Sequence, residues 1–335
     1  MLGPSPVPLT SAYDLAMLDL DGVVYISGSA VAGAPEALSA ARAAGLRLAF
    51  ITNNASRPPE TVARQLTGLG VPADATDVVT SAQAAARVLR QRLGDGARVV
   101  CLGAAGLREA LAAETLVPVG AEDDAAAVAT GYGPEIPWRD IMRAAVRIRD
   151  GLWWVASNTD MSIPTDYGTA PGHGVLVDTL RRFTGVEPVV AGKPARPLLD
   201  ETVRRVGGRR PLMVGDRLDT DIAGAHNSGL DSLLVLTGVT GLPELLSARP
   251  NERPTYLSPD LGGLGIAHPA PEPAGETTRL GGWTARIDGG RAVVEGAGDV
   301  ADWWRVVAVA GWRHLDATGT PATAEGLHAP VIYAL

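Results

Sequence analysis

The alternation of short apolar runs with helical stretches is the feature that most constrains the fold of this chain. Leu15–Leu18 is predicted as a buried strand, and 35–44 as a helix that stops at Gly45. A second strand at 46–51 and a second helix at 59–69 follow. Strands and helices that alternate through short turns predict a parallel sheet covered on both faces. We therefore expect an α/β fold whose core is a Rossmann-like doubly wound parallel sheet.

The same alternation continues to about residue 236, and the character then changes near residue 267. The predicted helices are 81–93, 138–150, 196–206 and 220–228, and the predicted strands include 99–102, 126–130, 152–157, 212–214 and 233–236. The proline-rich segment His268–Gly275 is predicted as a semi-rigid spacer. A hairpin around Gly289–Gly290 and a helix near 300–309 then predict a small C-terminal α+β extension.

Composition excludes several classes of function. The net charge of -8 and the pI near 5.2 argue against nucleic acid as the main partner. No apolar run reaches the roughly 20 residues that cross a bilayer, and the first ten residues lack the pattern of a signal peptide. The single cysteine, Cys101, lies in an apolar run and is expected to be a buried core residue. We therefore expect a cytoplasmic protein with neither a membrane nor a nucleic-acid partner.

Polar residues follow four strand-like segments, and each group alone could be an ordinary cap or turn. In a doubly wound sheet, however, groups just past the carboxyl ends of strands meet in one crevice. Lys193 is expected to open a helix after Val189–Ala191, and Asp219 is expected to cap the helix that follows it. The full set is Asp19 and Asp21, then Thr52 and Asn53, then Lys193, and finally Asp216, Asp219 and Asp221.

These residue types suit phosphoryl transfer. Asp19 can attack phosphorus and form an aspartyl phosphate, and Asp21 can act first as acid and then as base. Thr52 can donate to phosphoryl oxygens, while Lys193 balances their charge. Several carboxylates near one point repel each other unless a cation lies among them, and oxygen ligands suit Mg²⁺. The pattern predicts a magnesium-dependent phosphatase.

The motifs also resemble those of a known superfamily. Asp19-Leu-Asp21-Gly-Val, Ile51-Thr-Asn-Asn, Gly192-Lys-Pro194 and the segment Val214–Ile222 are similar to the four motifs of the haloacid dehalogenase superfamily. The resemblance covers about residues 12 to 265 and is strongest to the NagD-like branch, which includes p-nitrophenyl and phosphoglycolate phosphatases.

The resemblance implies a role for each matching residue. Asp19 and Asp216 would bind Mg²⁺ through side chains and Asp21 through its backbone carbonyl, with Asp221 as a supporting acid. Thr52, Asn53 and Lys193 would bind phosphate.

The same resemblance implies the domain organisation. Residues 12–81 and 189–265 would form the catalytic core, with an inserted α/β cap at 82–188. A proline-rich linker at 266–278 would lead to a small domain at 279–335. The overall layout is similar to actinobacterial glycerol-3-phosphate phosphatases, whose extension is likened to an acetyltransferase fragment. No convincing acyl-CoA loop is present in this tail, so no acetyltransferase activity is expected.

The resemblance implies hydrolysis of a small phosphorylated metabolite, with glycerol 3-phosphate as first candidate. The alternatives are 2-phosphoglycolate and broad p-nitrophenyl phosphate-type activity. The candidate specificity loop is Asn158–Gly174, where His173 lies between glycines and is either a substrate ligand or an exposed turn residue. Trp153 and Trp154 are expected in the cap core or at a homodimer face.

Three other functions fit the sequence less well. Dehalogenation on the same scaffold needs neither a second aspartate nor a metal, so Asp21 and Asp216 argue against it. A dinucleotide-binding oxidoreductase would need a glycine-rich turn after the first strand, which is missing. A non-catalytic regulator conflicts with the intact acidic set in the core, although the tail remains open to partner binding.

Overall fold

The computed structural model describes residues 1–165 and 167–330. These residues form two compact units. The first contains Met1–Leu48 and the described residues from Gly208 onward, and the second is Ala49–Gly207. Residues 49–81 and 189–207, assigned to the catalytic core by resemblance, therefore belong to the same compact unit as the segment assigned to the cap.

Eleven α-helices occur among the described residues, together with four shorter turns. The helices are α1 Leu9–Ala12, α2 Ala34–Ala43, α3 Pro59–Gly68, α4 Ser81–Leu93, α5 Ala105–Ala113, α6 Trp138–Arg149, α7 His173–Thr184, α8 Pro197–Val206, α9 Ala223–Ser228, α10 Leu242–Leu246 and α11 Val300–Thr318. Three turns are of the 3-10 type, at Ala75–Asp77, Pro250–Glu252 and Leu261–Gly265, and a π turn lies at Leu218–Ile222.

Nineteen strands are present in the same residues. They are β1 Leu15–Leu18, β2 Tyr25–Ile26, β3 Ser29–Ala30, β4 Arg47–Thr52, β5 Val78–Thr80, β6 Arg98–Leu102, β7 Val117–Val119, β8 Ala127–Thr130, β9 Trp153–Ala156, β10 Ser162–Thr165, β11 Gly168–Pro171, β12 Val189–Val190, β13 Pro211–Gly215, β14 Asp231–Val235, β15 Tyr256–Ser258, β16 Glu272–Ala274, β17 Thr277–Leu280, β18 Trp283–Asp288 and β19 Arg291–Gly296.

Most predicted elements agree with the structure to within about two residues, because strong periodicity and clear stops mark them. α4, for example, begins with a reciprocal cap in which Thr80 and Gln83 bond each other's backbone N–H groups. Two expectations differ. The last helix extends to Thr318, nine residues beyond its predicted end, and part of the predicted spacer forms strand β16.

The first unit contains a parallel sheet in the order β15, β14, β13, β1. All four residues of β1 are completely buried, as are Leu212–Val214 of β13. Continuous burial explains why these strands appear in the sequence as uninterrupted apolar runs. The parallel sheet directs the carboxyl ends of β1 and β13 toward the same edge.

The C-terminal part of the first unit is a four-stranded antiparallel sheet, β16 to β19, packed on α11. Val306 and Ala310 of α11 contact this sheet, while Val309 and Trp312 pack with Leu234 and other residues of the parallel sheet. The helix is therefore apolar on opposite sides, and Trp312, which lies beyond the predicted end, is completely buried.

A buried polar network links α11 to the edge of the parallel sheet. Arg305 donates from Nε to the Leu257 carbonyl (3.1 Å) and from Nη2 to His268 Nδ1 (3.0 Å). Because arginine only donates, Nδ1 of His268 is an acceptor, and Nε2 donates to the Gly263 carbonyl at 2.8 Å. Burial lowers the pKa of His268 to about 4, so the imidazole in this network is neutral.

The second unit contains a five-stranded parallel sheet in the order β12, β9, β8, β6, β7. α6 and α7 cover one face, in a core that includes Val128 and Trp154, and α4 packs against α5. The same unit contains the parallel pair β4–β5 and the antiparallel hairpin β10–β11. The predicted parallel α/β architecture is confirmed.

Cys101 and Trp154 are both core residues, as expected, whereas the neighbouring Trp153 is half-buried. Cys101 is buried, and this burial raises the pKa of its thiol to about 11, which disfavours the nucleophilic thiolate. Trp154 is almost fully buried and donates to Thr130 Oγ1, so it belongs to the core. The Arg92 guanidinium covers the ring of Trp153 at 4.3 Å.

Within the described residues, no helix has the length and apolar character needed to span a membrane.

Stability should decrease in mild acid because of His268. The pKa of His268 is about 4 in the folded chain and near 6.5 when exposed, so the unfolded chain binds this proton more tightly. Neutral His268 contributes fully to the free energy of unfolding above about pH 6.5, and this contribution is lost as the pH falls toward about 4. Urea unfolding at about pH 5 and pH 7 should show a lower midpoint at the acidic pH.

The variant His268→Gln should reduce this pH dependence, because an amide can accept from Arg305 and donate to Gly263 without titrating. Exposed His226 supplies the control, and His226→Gln should leave the dependence as in the wild type. If the urea midpoint changed with pH equally in His268→Gln and in the wild type, His268 would not be the source of the pH dependence.

Candidate functional site

Three carboxylates meet at the carboxyl edge of the sheet in the first unit. Asp19 follows β1, Asp216 follows β13, and Asp221 lies in the π turn after β13. One oxygen from each lies within 4.8 Å of the others. The register Leu18↔Val214 and the bond from Asp19 N–H to the Val214 carbonyl (2.9 Å) hold the first two strand ends side by side.

Backbone N–H groups fix the two buried carboxylates. Oδ2 of Asp221 accepts from the N–H of Asp216 (3.1 Å) and of Arg217 (3.0 Å). Oδ2 of Asp216 accepts from the N–H of Val239 at 2.7 Å. Asp216 and Asp221 are both completely buried. Hydrogen bonds from N–H groups favour the ionised form of a carboxylate, so this edge of the sheet is suited to concentrated negative charge.

The loop after β14 closes around Asp216 and was missed by the sequence reasoning. Thr240 donates its hydroxyl to the Asp216 carbonyl (2.5 Å), and Thr237 donates to the Gly22 carbonyl (2.5 Å). A Cβ on Gly238 would collide with the Asp216 carboxylate, and a Cβ on Gly22 would lie 2.5 Å from it. The available signal was the run Thr237-Gly-Val-Thr-Gly directly after a strand.

Asp21 lies outside the cluster of three carboxylates. Its side chain is exposed, and the Tyr25 hydroxyl lies 3.5 Å from Oδ2. The Gly22 N–H donates to the Tyr25 carbonyl (2.9 Å), which turns the chain back toward the small hairpin β2–β3. The carboxylate of Asp21 is therefore held by a tight turn and is accessible from solvent.

The expected capping role of Asp219 is not observed. The carboxylate of Asp219 accepts two hydrogen bonds from Arg217, from Nε at 3.1 Å and from Nη2 at 2.8 Å. The π turn that contains it has no side-chain cap. A bidentate guanidinium pair satisfies the carboxylate more fully than one N–H group would.

The second unit contains Thr52 and Lys193. Thr52 ends β4, and its hydroxyl oxygen accepts from the Asn54 N–H at 3.1 Å, which keeps the hydroxyl proton for donation. Lys193 is almost fully buried and lies in a loop four residues before α8, so the prediction that it opens a helix was wrong. Pro194 follows it through a cis peptide bond, and a residue before proline avoids the helical region.

Asn53 is the centre of a buried hydrogen-bond network. Its Oδ1 accepts from the Lys193 N–H (2.8 Å), and its Nδ2 donates to the Lys193 carbonyl (3.0 Å) and to Asp160 Oδ1 (3.0 Å). Its backbone carbonyl accepts from Ser81 Oγ and from Asn158 Nδ2. Asn53 was predicted as a phosphate ligand, but all of these hydrogen bonds are made within the protein.

His173 begins α7 and is only 3% exposed, so the interpretation as an exposed turn residue was wrong. Its Nδ1 lies 2.9 Å from the Asn158 carbonyl, and that contact requires Nδ1 to carry the proton. Burial lowers the pKa of His173 to about 4, although the bond to Asn158 opposes the shift. Nε2 is a buried acceptor with no hydrogen-bond partner among the described residues.

The glycines beside His173 serve protein packing. A Cβ on Gly172 would collide with the Asp160 carbonyl, and a Cβ on Gly174 with the Thr159 carbonyl. Both glycines are therefore required by contacts within the protein. They let the amino end of α7 contact the loop after β9.

The three carboxylates fit a hard divalent cation. Like charges this close disfavour each other's ionisation, and burial of Asp216 and Asp221 adds to that cost. All three donors are oxygen atoms, which suits Mg²⁺ or Ca²⁺ better than softer metals. The backbone at Gly22 and Gly238 lies so close to the Asp216 carboxylate that a side chain at either position would displace it.

Comparison with family models and known proteins shows the family to which this chain belongs. Residues 16–116 match a model described as haloacid dehalogenase-like hydrolase, and residues 190–264 match a related HAD hydrolase-like model. A D-glycerol 3-phosphate phosphatase from Mycobacterium tuberculosis is 43% identical over 299 residues, 88% of this chain and 82% of that protein. The chain belongs to the haloacid dehalogenase-like hydrolase family.

Solved structures of this family place the chain among its phosphatases. A glycerol phosphate phosphatase from M. tuberculosis in complex with magnesium superimposes with a TM-score of 0.84 and 41% identity, covering 94% of both chains. A thermostable p-nitrophenyl phosphatase from Geobacillus stearothermophilus gives a TM-score of 0.68 and 29% identity, covering 75% of this chain and 97% of that one. The predicted resemblance and the HAD-like α/β fold are confirmed.

Proposed function

We propose that this chain is a Mg²⁺-dependent phosphomonoesterase whose preferred substrate is glycerol 3-phosphate. The observation that carries the proposal is the cluster of Asp19 with two completely buried carboxylates. The similarity to glycerol phosphate phosphatases supports the choice of substrate. The alternative substrates are 2-phosphoglycolate and, as the p-nitrophenyl phosphatase relative suggests, a broader set of phosphate esters.

Mg²⁺ would be held by the side chains of Asp19 and Asp216, with Asp221 supporting and the Asp21 carbonyl as a further ligand. The ion would supply positive charge that lowers the repulsion between the nucleophile and the phosphoryl oxygens. The N–H groups that bind Asp216 and Asp221 keep both side chains oriented.

Asp19 attacks the phosphorus atom while Asp21 donates a proton to the departing alcohol oxygen. The P–O bond to the alcohol breaks, and an aspartyl phosphate forms on Asp19. Asp21, now ionised, removes a proton from water, which attacks the same phosphorus and releases inorganic phosphate. The exposure of Asp21 suits this exchange of protons with water.

Thr52 and Lys193 would bind the phosphoryl oxygens. The Thr52 hydroxyl retains a proton for donation because its oxygen accepts from Asn54. The Lys193 ammonium would offset the charge that the oxygens carry in the transition state.

The leaving group would be recognised by His173. A neutral imidazole with Nδ1–H donated to Asn158 presents Nε2 as an acceptor. A buried acceptor without a partner is unfavourable, and a substrate hydroxyl would satisfy it. His173 is therefore assigned to a hydroxyl of the alcohol, because a neutral imidazole adds no positive charge for the phosphoryl group.

We also propose a cytoplasmic location and a homodimer formed through the second unit. Trp138, Met142 and Val146 form an apolar stripe on α6 and are 64%, 56% and 40% exposed. Their i, i+4, i+8 spacing matches the seam that a helix from a second copy would cover.

Phosphate release from a panel of esters tests the activity. Glycerol 3-phosphate should give the highest kcat/KM, and EDTA should abolish turnover. Asp19→Asn should lower kcat by about 1000-fold or more, because the amide is a poor nucleophile. Asp219→Asn is the matched control in the same motif and should stay within about 3-fold of wild type, since Asp219 pairs with Arg217 and lies outside the cluster of three carboxylates.

Turnover that survives EDTA or persists in Asp19→Asn would refute the mechanism. If p-nitrophenyl phosphate were hydrolysed better than both glycerol 3-phosphate and phosphoglycolate, the proposed substrate would be wrong while the phosphatase activity would stand.

Replacing the buried histidine should change selectivity. His173→Phe should lower kcat/KM for glycerol 3-phosphate by about 10-fold or more, because the substrate hydroxyl loses its acceptor. p-Nitrophenyl phosphate has no hydroxyl on its leaving group, so its kcat/KM should change far less. An equal loss on both substrates would indicate a structural role only.

Light scattering tests the dimer. The wild type should have twice the mass of Met142→Glu, because a charge in the stripe opposes its burial. Ile266→Glu adds the same charge at an exposed apolar residue of the other unit and should not change the mass. A monomeric wild type would refute the dimer.

A further inference from the structure

Lys193 is the only lysine among the 29 lysine and arginine residues of the chain. A lysine side chain is long and flexible, and its position depends on how firmly its backbone is held. The backbone of Lys193 is held on both sides by one side chain. The Asn53 amide accepts from its N–H at 2.8 Å and donates to its carbonyl at 3.0 Å.

The orientation of the Asn53 amide follows from these partners. Oδ1 must face the Lys193 N–H, because a flipped amide would place two donors against each other. Nδ2 then donates both protons, one to the Lys193 carbonyl and one to Asp160 Oδ1. The amide has no proton left for a phosphoryl oxygen.

Asn53 itself is anchored by two distant segments. Ser81 Oγ and Asn158 Nδ2 donate to its backbone carbonyl at 2.5 and 2.6 Å. Gly192 allows the close contact with Lys193, since a Cβ there would lie 2.6 Å from Asn53 Oδ1 and 2.7 Å from the Ser157 carbonyl. These contacts fix the position of the Asn53 amide within the protein.

We propose that Asn53 is a positioning residue that holds Lys193 in its phosphate-binding conformation and links it to the loop after β9 through Asp160 and Asn158. This inference rests on the proposed phosphatase function, in which Lys193 binds the phosphoryl group. Its consequence is that the Asn53 side chain affects phosphate affinity through Lys193 and is not itself a ligand.

The single lysine supplies a direct probe. Full-length protein labelled with [¹⁵N]lysine should give one backbone amide signal, that of Lys193. In the phosphate-free protein, Asn53→Ala should shift this signal and speed its exchange with D₂O by about 10-fold or more, because the N–H loses its acceptor. Affinity for inorganic phosphate, measured by calorimetry, should fall by about 10-fold or more.

Asn53→Asp separates the hydrogen bond that the side chain accepts from the Lys193 N–H from the two hydrogen bonds that the amide donates. It keeps an oxygen for the Lys193 N–H, so amide protection should persist, but it removes both donated bonds, so phosphate affinity should fall. Adding Asp160→Asn should recover part of that affinity by supplying a donor to the new carboxylate. Asn54→Ala is the control, since the Asn54 side chain bonds Ser56, and it should leave the Lys193 signal unchanged.

Thermal unfolding of each variant shows whether it is folded. If Asn53→Ala is not folded, Asn53→Asp provides the test. An unchanged Lys193 signal in Asn53→Ala together with lost phosphate affinity would make Asn53 a direct ligand and overturn the proposal. Unchanged phosphate affinity in both variants would also overturn it. If the wild type hydrolysed no phosphate ester, the proposed function would fail, while the amide signal and the phosphate titration would still decide the role of Asn53.

Discussion

Repulsion among three carboxylates is the constraint on which the first unit depends. Asp19, Asp216 and Asp221 place oxygens within 4.8 Å of one another, two of them without solvent contact. The parallel register of β1 and β13 creates this proximity, and backbone N–H groups make the charges tolerable. The close packing of backbone around these carboxylates also requires glycine nearby, since a side chain at Gly238 would displace the Asp216 carboxylate.

In the second unit, a hydrogen-bond network around Asn53 holds the backbone of Lys193, the residue with a long and flexible cationic side chain. Asn53 joins the loop before α8, the start of α4 and the loop after β9 through five hydrogen bonds of its side chain and carbonyl. His173 is connected to this network through Asn158. His173, proposed to recognise the alcohol, and Asn53, proposed to position Lys193, therefore share one buried hydrogen-bond network, in which the hydrogen bonds can strengthen one another.

The C-terminal part of the chain is joined to the first unit by both apolar and polar contacts. α11 is buried on opposite sides, and Arg305 connects it to β15 and to His268. A buried guanidinium is tolerated because each of its partners is well placed. The extension is therefore an integral layer of the first unit, and the segment predicted as a spacer is held by His268 and by β16.

The sequence by itself determined the alternation of elements, the α/β class, the family and the acidic set, because apolar periodicity and closely spaced motifs are local properties. It also identified Cys101 as a core residue. Only the tertiary structure decided that Asp219 pairs with Arg217, that Lys193 lies in a loop, that His173 is buried and neutral, and that the Asn53 amide is used within the protein. The contacts of His173 and Asn53 join residues that are 15 and 140 positions apart, and no local pattern records which distant groups a fold brings together.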